Sequence, residues 1–524
     1  MPSALRSPPS SPPDSPRARQ SLTRVGLATL ACACASLLAA CAHAPGASGT
    51  GTDPPAGALP SAWAASAPPP ANAPAPDPAA LATWWRQFDD PLLGTLVEEA
   101  LQANTDLATA RVKLLQARAL RASQAATLSP QLGSSAGVTR THGQTASTTG
   151  TVWQGGLDAS WELDVFGAQA AALRGRDADI ASATATVAAT RVSVSAEVGL
   201  AYLTLRGTRR QLRIAQDNLA AQEQTLALTR WRAQAGLASA LDAEQARVST
   251  EQLRANLPAL ESSIAQSEHR LAVLLGQPPA ALRERLGSSD RRPLATRELP
   301  VALPAEWLRQ RPDLRAAEAT IRAEAERLSY RQGQRWPSFT LSGSLALKAV
   351  TLGGLGAAGA LVDSVAAAVS WPLWDGGTRS AAIDQQQAVL EQARVAYRAA
   401  VLTALEDVEN ALTALAASQR ELTAWTQANS AAQNALLLAR QRYQAGLIDF
   451  GTLLDAQRSA LSTDNSRAST ETDLGLNLVR LYKALGGGWS EDATPASAAP
   501  TPAAASVAPS SAAPSAPASA ATPS

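Results

Sequence analysis

The chain has 524 residues, with 45 Lys and Arg against 44 Asp and Glu. A net charge of +1 excludes a broad electrostatic attraction to nucleic acid. With 3 His in all, and with Cys32, Cys34 and Cys41 confined to one N-terminal stretch, neither a disulfide framework nor a Cys-based metal site is expected further on, and no cofactor is expected.

The N-terminus reads as an address. Arg17, Arg19 and Arg24 precede an apolar run from Val25 to Leu38, a charged region followed by a segment too short for a stable span. The run ends Leu38-Ala39-Ala40-Cys41, which resembles the bacterial lipobox. Such signals are cut before the Cys, whose thiol then carries a diacylglyceryl group; the competing reading is a plain signal peptide with an incidental Cys. Ala42 stands where inner-membrane retention usually needs Asp, so the resemblance implies sorting to the outer membrane. Residues 1–40 are thus a lipoprotein signal with a Ser/Pro-rich extension, and 41–81 are the lipidated Cys41 and a Pro/Ala/Gly/Ser tether. Residues 490–524 form a disordered tail of similar composition.

The body between them alternates helical tracts with strand pairs. The spacing predicts a helix over Pro91–Thr127, then a Gly/Ser/Thr-rich strand at about 131–140. A clearer strand follows, in which Leu157, Ala159, Trp161, Leu163 and Val165 alternate with polar residues. From Gly167 to Gly236 there is no Pro, and Val194, Val198, Ala201, Leu205, Leu212, Leu219 and Leu226 recur at helical spacing. At 1.5 Å per residue such a helix spans roughly 100 Å, which suggests an antiparallel coiled coil with shorter returning helices. Those shorter helices are Leu237–Leu275, Ala305–Gln334 and Leu447–Leu485, and Gly377–Gly446 is a second long one. Between Ala305–Gln334 and Gly377 lie two more alternating sets, Phe339 to Leu347 and Val365 to Leu373. Aromatics gather at the strand ends: Trp153, Trp161, Phe166, Trp336, Phe339, Trp371 and Trp374.

Alternation with aromatic ends fits transmembrane β-strands; the bland reading is a soluble sheet packed on a core. Four strands cannot close a barrel, which needs about eight, and an open edge in lipid leaves backbone groups unsatisfied. Membrane strands here therefore require an oligomer, and three chains supply twelve strands. No stretch is a credible transmembrane helix; residues 351–369 are Gly-rich and carry Asp363.

The body is duplicated. Arg230-Trp231-Arg232-Ala233-Gln234-Ala235-Gly236-Leu237 returns as Arg440-Gln441-Arg442-Tyr443-Gln444-Ala445-Gly446-Leu447, a shift of 446 − 236 = 210 residues. Trp161, Gly167 and Val198 map onto Trp371, Gly377 and Val408 with the same shift, and Asp106-Leu107 onto Asp313-Leu314 with a shift of 207. The first repeat is placed at 82–300 and the second at 301–489. Two halves built alike around a pseudo-symmetry axis point to a channel more than to a catalyst.

No enzyme constellation stands up. His43, His142 and His269 are scattered, and Gly353-Gly354-Leu355-Gly356 lacks the Lys-Ser/Thr of a phosphate loop, so it reads as an extracellular strand connection.

Several motifs, in order along 82–489, resemble the TolC-like outer-membrane factors, in particular the NodT-like lipoprotein components of efflux systems. They are Trp84-Trp85-Arg86-Gln87-Phe88-Asp89-Asp90-Pro91, Trp161-Glu162-Leu163-Asp164-Val165-Phe166-Gly167, Leu308-Arg309-Gln310-Arg311-Pro312-Asp313-Leu314, Leu453-Leu454-Asp455-Ala456-Gln457-Arg458 and Tyr482-Lys483-Ala484-Leu485-Gly486-Gly487-Gly488-Trp489. The resemblance implies a mainly α fold with a small β part. A homotrimer would join a 12-strand β-barrel in the outer membrane to a 12-helix periplasmic α-barrel of long antiparallel coiled-coil helices. It implies a passive duct, not an enzyme, that works with a periplasmic adaptor and an inner-membrane pump. It also implies that the two helix tips, Arg232, Gly236 and Leu237 with Arg442, Gly446 and Leu447, dock the adaptor. Without that contact, each Gly is only a helix cap and each Leu closes a turn. The pore gate is implied at Asp455 and Arg458, where relatives carry an acidic ring; the plain alternative is a solvated ion pair. Two departures stand beside it: Gly451 where relatives are often bulky and apolar, and Thr452 where some carry a second acidic residue. Rival readings are a duct for protein secretion and a lipid-anchored periplasmic coiled-coil scaffold; a scaffold of the adaptor type would carry one hairpin tip, not two.

Overall fold

A computed structural model describes residues 78–142, 150–287, 305–357 and 359–490. The signal, Cys41, the tether as far as 77 and the tail from 491 lie outside the described residues. The elements run α1 (Pro91–Ala103), α2 (Thr105–Ala126), β1 (Gln131–Thr141), β2 (Gly150–Leu163), α3 (Ala168–Gln234), α4 (Ala240–Leu274), α5 (Pro312–Gly333), β3 (Ser338–Ala349), β4 (Leu361–Ser370), α6 (Thr378–Gln444) and α7 (Phe450–Ala484). The duplication is visible in helix lengths: α3 and α6 have 67 residues each, α4 and α7 have 35, and α2 and α5 have 22.

The expected single helix over Pro91–Thr127 is two. Asn104 breaks it, because its Oδ1 accepts from the N–H of Asp106 (2.9 Å) and of Leu107 (3.1 Å), capping α2, while its Nδ2 donates to the Leu274 carbonyl at 3.0 Å. The expected helix from Ala305 likewise divides into a 3-10 turn (Ala305–Gln310) and α5, whose first residue is Pro312. The last strand is shorter than its alternation: β4 stops at Ser370, and Trp371, Leu373 and Trp374 lie beyond it, next to Pro372, which has no N–H for a ladder. Val165 lies past the end of β2, which starts at Gly150, before the clear alternation begins.

The described residues form two compact units, each drawing on both repeats: 120–142 and 150–179 with 318–357 and 359–398, and 78–119 with 180–287, 305–317 and 399–490. The first unit holds the sheet, antiparallel throughout in the order β1-β2-β3-β4. The register aligns the apolar alternates: Leu157 opposes Leu345, Trp161 opposes Leu341, and Leu163 opposes Phe339, which opposes Val369. These apolar side chains therefore share one face, and Leu132, Leu157, Leu345, Val365 and Val369 are exposed on it. The other face carries Ser135 bonded to Asp158 (3.1 Å) and Ser344 bonded to Ser364 (2.9 Å). An apolar face with no cover and a polar face with its own hydrogen bonds is the pattern of a barrel wall between lipid and water. At the helix-bearing end of the strands, Phe166 stacks on Trp336 at 5.5 Å, and Trp161 Nε1 donates to the Leu128 carbonyl at 3.0 Å. Behind them, Ile321, Ala325, Leu328, Ile383 and Leu390 pack α5 against α6.

The second unit is centred on Trp84, Trp85, Phe88, Leu93, Val198, Tyr202, Val408, Leu478 and Tyr482, all buried. Trp84 stacks on Tyr482 at 5.6 Å. A Cβ at Gly199 would lie 2.5 Å from Trp84 Cη2, so α3 carries glycine where the indole presses on it. The Trp84–Pro91 motif is thus largely a core anchor, and its Asp90 accepts from the Tyr202 hydroxyl at 2.6 Å and from the Leu92 N–H at 3.0 Å. Arg311, in the second-repeat motif, is buried, pairs with Asp313 at 2.7 Å and donates to the Ala484 carbonyl at 2.8 Å. Among the described residues no helix is long and apolar enough to cross a membrane.

Candidate functional site at the helix tips and gate stretch

Both long helices end in the same way. The Leu237 N–H donates to the Arg232 carbonyl and the Leu447 N–H to the Arg442 carbonyl, each at 2.8 Å, and Gly236 and Gly446 have φ of +74° and +75°. These are Schellman closures, in which a left-handed residue lets the chain turn back over the last carbonyls. Nothing lies within 4 Å of a Cβ built on either glycine, so backbone conformation, not space, calls for Gly there. Leu237 and Leu447 are 77% and 73% exposed, as large apolar side chains at the very turn.

The returning helices start on side-chain caps. Ser239 and Asp242 form a reciprocal capping box at α4 (3.1 and 3.0 Å). At α7 the Asp449 carboxylate accepts from the Thr452 N–H at 2.7 Å, and that bond holds its pKa below the usual carboxylate range. Neither cap is among the residues singled out from the sequence, although Ser-x-x-Asp and Asp-x-x-Thr just before apolar runs are readable signals.

The two tips are not equivalent. Arg232 is half-buried, lies 4.8 Å over the Tyr443 ring and donates to the carbonyls of Tyr443 (3.0 Å) and Gln444 (2.9 Å). A cation thus sits on the carbonyl end of α6, where the helix dipole favours it. Its repeat partner Arg442 is exposed. Tyr443 and Phe450 meet edge-on at 5.9 Å inside a cluster that also holds Leu436, Leu453, Leu454 and Ala460.

That cluster orients the stretch expected to hold the gate. Phe450, Leu453, Leu454 and Ala460 form the buried stripe of α7, so Thr452, Asp455 and Arg458 fall on its exposed side. Asp455 and Arg458 approach to 4.0 Å with side chains 80% and 58% exposed, a loose pair open to solvent. A Cβ at Gly451 would sit 3.1 Å from Asp449 Oδ1, so glycine here gives the cap room. Gln457 Nε2 donates to Thr225 Oγ1 at 3.2 Å, tying the first turns of α7 to α3. Further along, Arg467 bridges Asp464 (3.0 Å) and Glu471 (2.6 Å) on the same helix, a triad that sequence reading did not single out. Among the described residues no group of three or more His, Cys, Asp or Glu could hold a metal ion.

The sequence profile described as "Outer membrane efflux protein" matches residues 96–277 and 303–487, one segment in each repeat. The chain belongs to that family. Nodulation protein T of Rhizobium leguminosarum bv. trifolii is 29% identical over 423 residues, covering 78% of this chain and 88% of that protein. The pyoverdine export outer membrane protein OpmQ of Pseudomonas aeruginosa is 31% identical over 425 residues, with the same coverage of 78% and 88%. The structure of the outer-membrane channel OprN superposes with a TM-score of 0.76 at 34% identity, covering 84% of this chain and 99% of that one. As an outer membrane efflux protein, the chain is a channel component, mainly helical with one small antiparallel sheet, and the TolC-like resemblance holds over the body.

Proposed function

We propose that the chain is the exit duct of a tripartite efflux system, conducting small molecules passively and carrying out no catalysis of its own. Three copies would close a 12-strand barrel through the outer membrane and continue it as a 12-helix periplasmic barrel. A periplasmic adaptor and an inner-membrane pump would complete the path, with Cys41 carrying the lipid anchor.

The observation that carries this reading is the sheet itself. Its mostly apolar face exposes Leu132, Leu157, Leu345, Val365 and Val369, its polar face carries the Ser135–Asp158 and Ser344–Ser364 bonds, and β1 and β4 are open edges. Four strands with two free edges are stable in lipid only when copies join edge to edge.

Leu237, Leu447 and Arg442 are the docking contacts in this reading, being exposed on two adjacent tips; Gly236 and Gly446 shape the turns, and Arg232 holds the tips to each other. Asp455 and Arg458, with Thr452 and Gly451 beside them, form the gate. Three copies of Asp455 around an axis repel one another unless paired with cations or with Arg458 of a neighbour.

Single-channel conductance of the purified protein in planar bilayers tests the reading, wild type against Asp455→Ala with Arg458→Ala. A small, mostly closed conductance that rises sharply in the double variant is expected. Equal conductance in both would move the gate elsewhere, and well-folded protein without channel activity would refute the duct.

A further inference from the structure

Two charges interrupt the apolar face of the sheet, one on each edge strand. The register runs Asp363 opposite Leu345, Leu345 opposite Leu157, and Leu157 opposite Ser134, all on the apolar face. Arg140, six residues beyond Ser134 on β1 (140 − 134 = 6), has the same parity as Leu132 and Val138 and so the same face. Both charges lie towards the loop end of the strands: Arg140 is one residue from the end of β1, and Asp363 two residues into β4. Both are exposed, and among the described residues neither meets an opposite charge within its own chain.

Closing a barrel decides what they meet. Strands tilted by about 35–45°, spaced about 4.8 Å apart and rising about 3.3 Å per residue, shift by about four to six residues on crossing four strands. The shift must be even, because an odd one would turn apolar side chains into the lumen. Its sense follows from the edges. With no shift, β4 from Leu361 to Ser370 would face positions 136 to 127, running off the start of β1 at Gln131. A six-residue shift the wrong way would leave β4 with no strand to pair. A shift towards the loop end keeps β4 on β1: one of four sets it against positions 140 to 131, all on β1, and one of six sets it against 142 to 133, all but one on β1. The shift of six sets Arg140 of the next copy directly opposite Asp363, whereas a shift of four would set Val138 against the carboxylate.

We propose that Arg140 and Asp363 form an ion pair across the seam between neighbouring copies, fixing the β4–β1 register at a stagger of six residues and locking the barrel rim. The proposal rests on the trimeric duct argued above. Opposite unit charges on the two edges, at matching height on an otherwise apolar face, favour the correct edge-to-edge pairing. An edge slipped back to a stagger of four sets Asp363 against Val138 and Leu361 against Arg140, leaving both charges without a partner.

The full-length chain carrying Arg140→Cys with Asp363→Cys is oxidised in isolated outer membranes. Directly opposed residues have Cα atoms within disulfide range, so reducible covalent dimers and trimers are expected. Ser134→Cys or Val138→Cys combined with Asp363→Cys tests a stagger of zero or four. Cross-linking through either of those, and not through 140, overturns the register. In parallel, Arg140→Asp or Asp363→Arg alone should lower the temperature at which the trimer dissociates, and the combined swap should recover most of that loss. A swap no better than the single changes overturns the ion pair. Wild-type protein that is monomeric in mild detergent refutes the trimer reading itself, whereas a wild-type trimer without the 140–363 link refutes only this inference.

Discussion

The Arg232 guanidinium lies 4.8 Å over the Tyr443 ring and donates to the Tyr443 carbonyl at 3.0 Å. One side chain of the first repeat thereby closes the end of the second repeat's long helix. Replacing it exposes carbonyls at a helix end and removes the clamp between the tips. Arg232→Ala is expected to weaken the tips locally by about 1–2 kcal/mol, as charged hydrogen bonds do when lost. Amide hydrogen exchange should accelerate at Tyr443–Leu447 and not in the core around Trp84. Arg442→Ala, at the exposed counterpart, should leave exchange unchanged and reduce only adaptor binding.

A second expectation concerns the buried phenol. Tyr202 donates to Asp90 at 2.6 Å, and burial, with that bond second, pushes its pKa above the ordinary tyrosine value. The folded state thus holds the proton where the unfolded chain, at about pH 10, releases it. Stability is then fully present below about pH 10 and declines as pH rises further. Tyr202→Phe should cost about 1–3 kcal/mol at neutral pH, because Asp90 loses a buried partner. It should also flatten the alkaline part of the stability curve measured by thermal unfolding at pH 8 to 11.

Glycines at two places are expected to respond differently. Gly199→Ala puts a Cβ 2.5 Å from Trp84 Cη2, against an indole that is itself fully buried. Overpacking of that kind costs about 1–3 kcal/mol and should lower the unfolding temperature of the whole protein. Gly446→Ala meets no atom within 4 Å but must hold φ near +75°, so its cost, about 1 kcal/mol, should stay at the tip. Equal effects of the two on global unfolding would contradict the distinction between contact and conformation.

The Asp455–Arg458 pair separates gating from stability. At 4.0 Å and largely exposed, it is worth little within one chain. Arg458→Ala should leave the unfolding temperature within about 1 °C of wild type, since exposed pairs contribute under about 1 kcal/mol, while it changes channel conductance. A variant that loses stability in proportion to its change in conductance would show a structural pair, not a gate.

Much of the architecture is legible in the amino-acid sequence. Helix and strand periodicity depend on local spacing, and the duplicated Arg-x-Arg-x-Gln-Ala-Gly-Leu turn marks both tips, because only a left-handed residue closes them. The Asn104 break combines a local cap on the Asp106 and Leu107 N–H groups, which an Asn helix start signals, with a bond to the Leu274 carbonyl from 170 residues away, which the sequence does not show. Arg232 and Arg442 occupy the same place in one motif, yet only Arg232 reaches carbonyls of the other tip, so identical local sequence took different roles once the two helices met. Asp363 stands in the sequence only as a charge in a Gly-rich stretch, until pairing with Leu345 sets it on the apolar face. Sequence by itself determined which segments are helix, strand or turn, because those preferences act over a few residues. Tertiary structure alone decided which of several like side chains face a partner, a lipid surface or a core, because register and packing join residues that the chain keeps far apart.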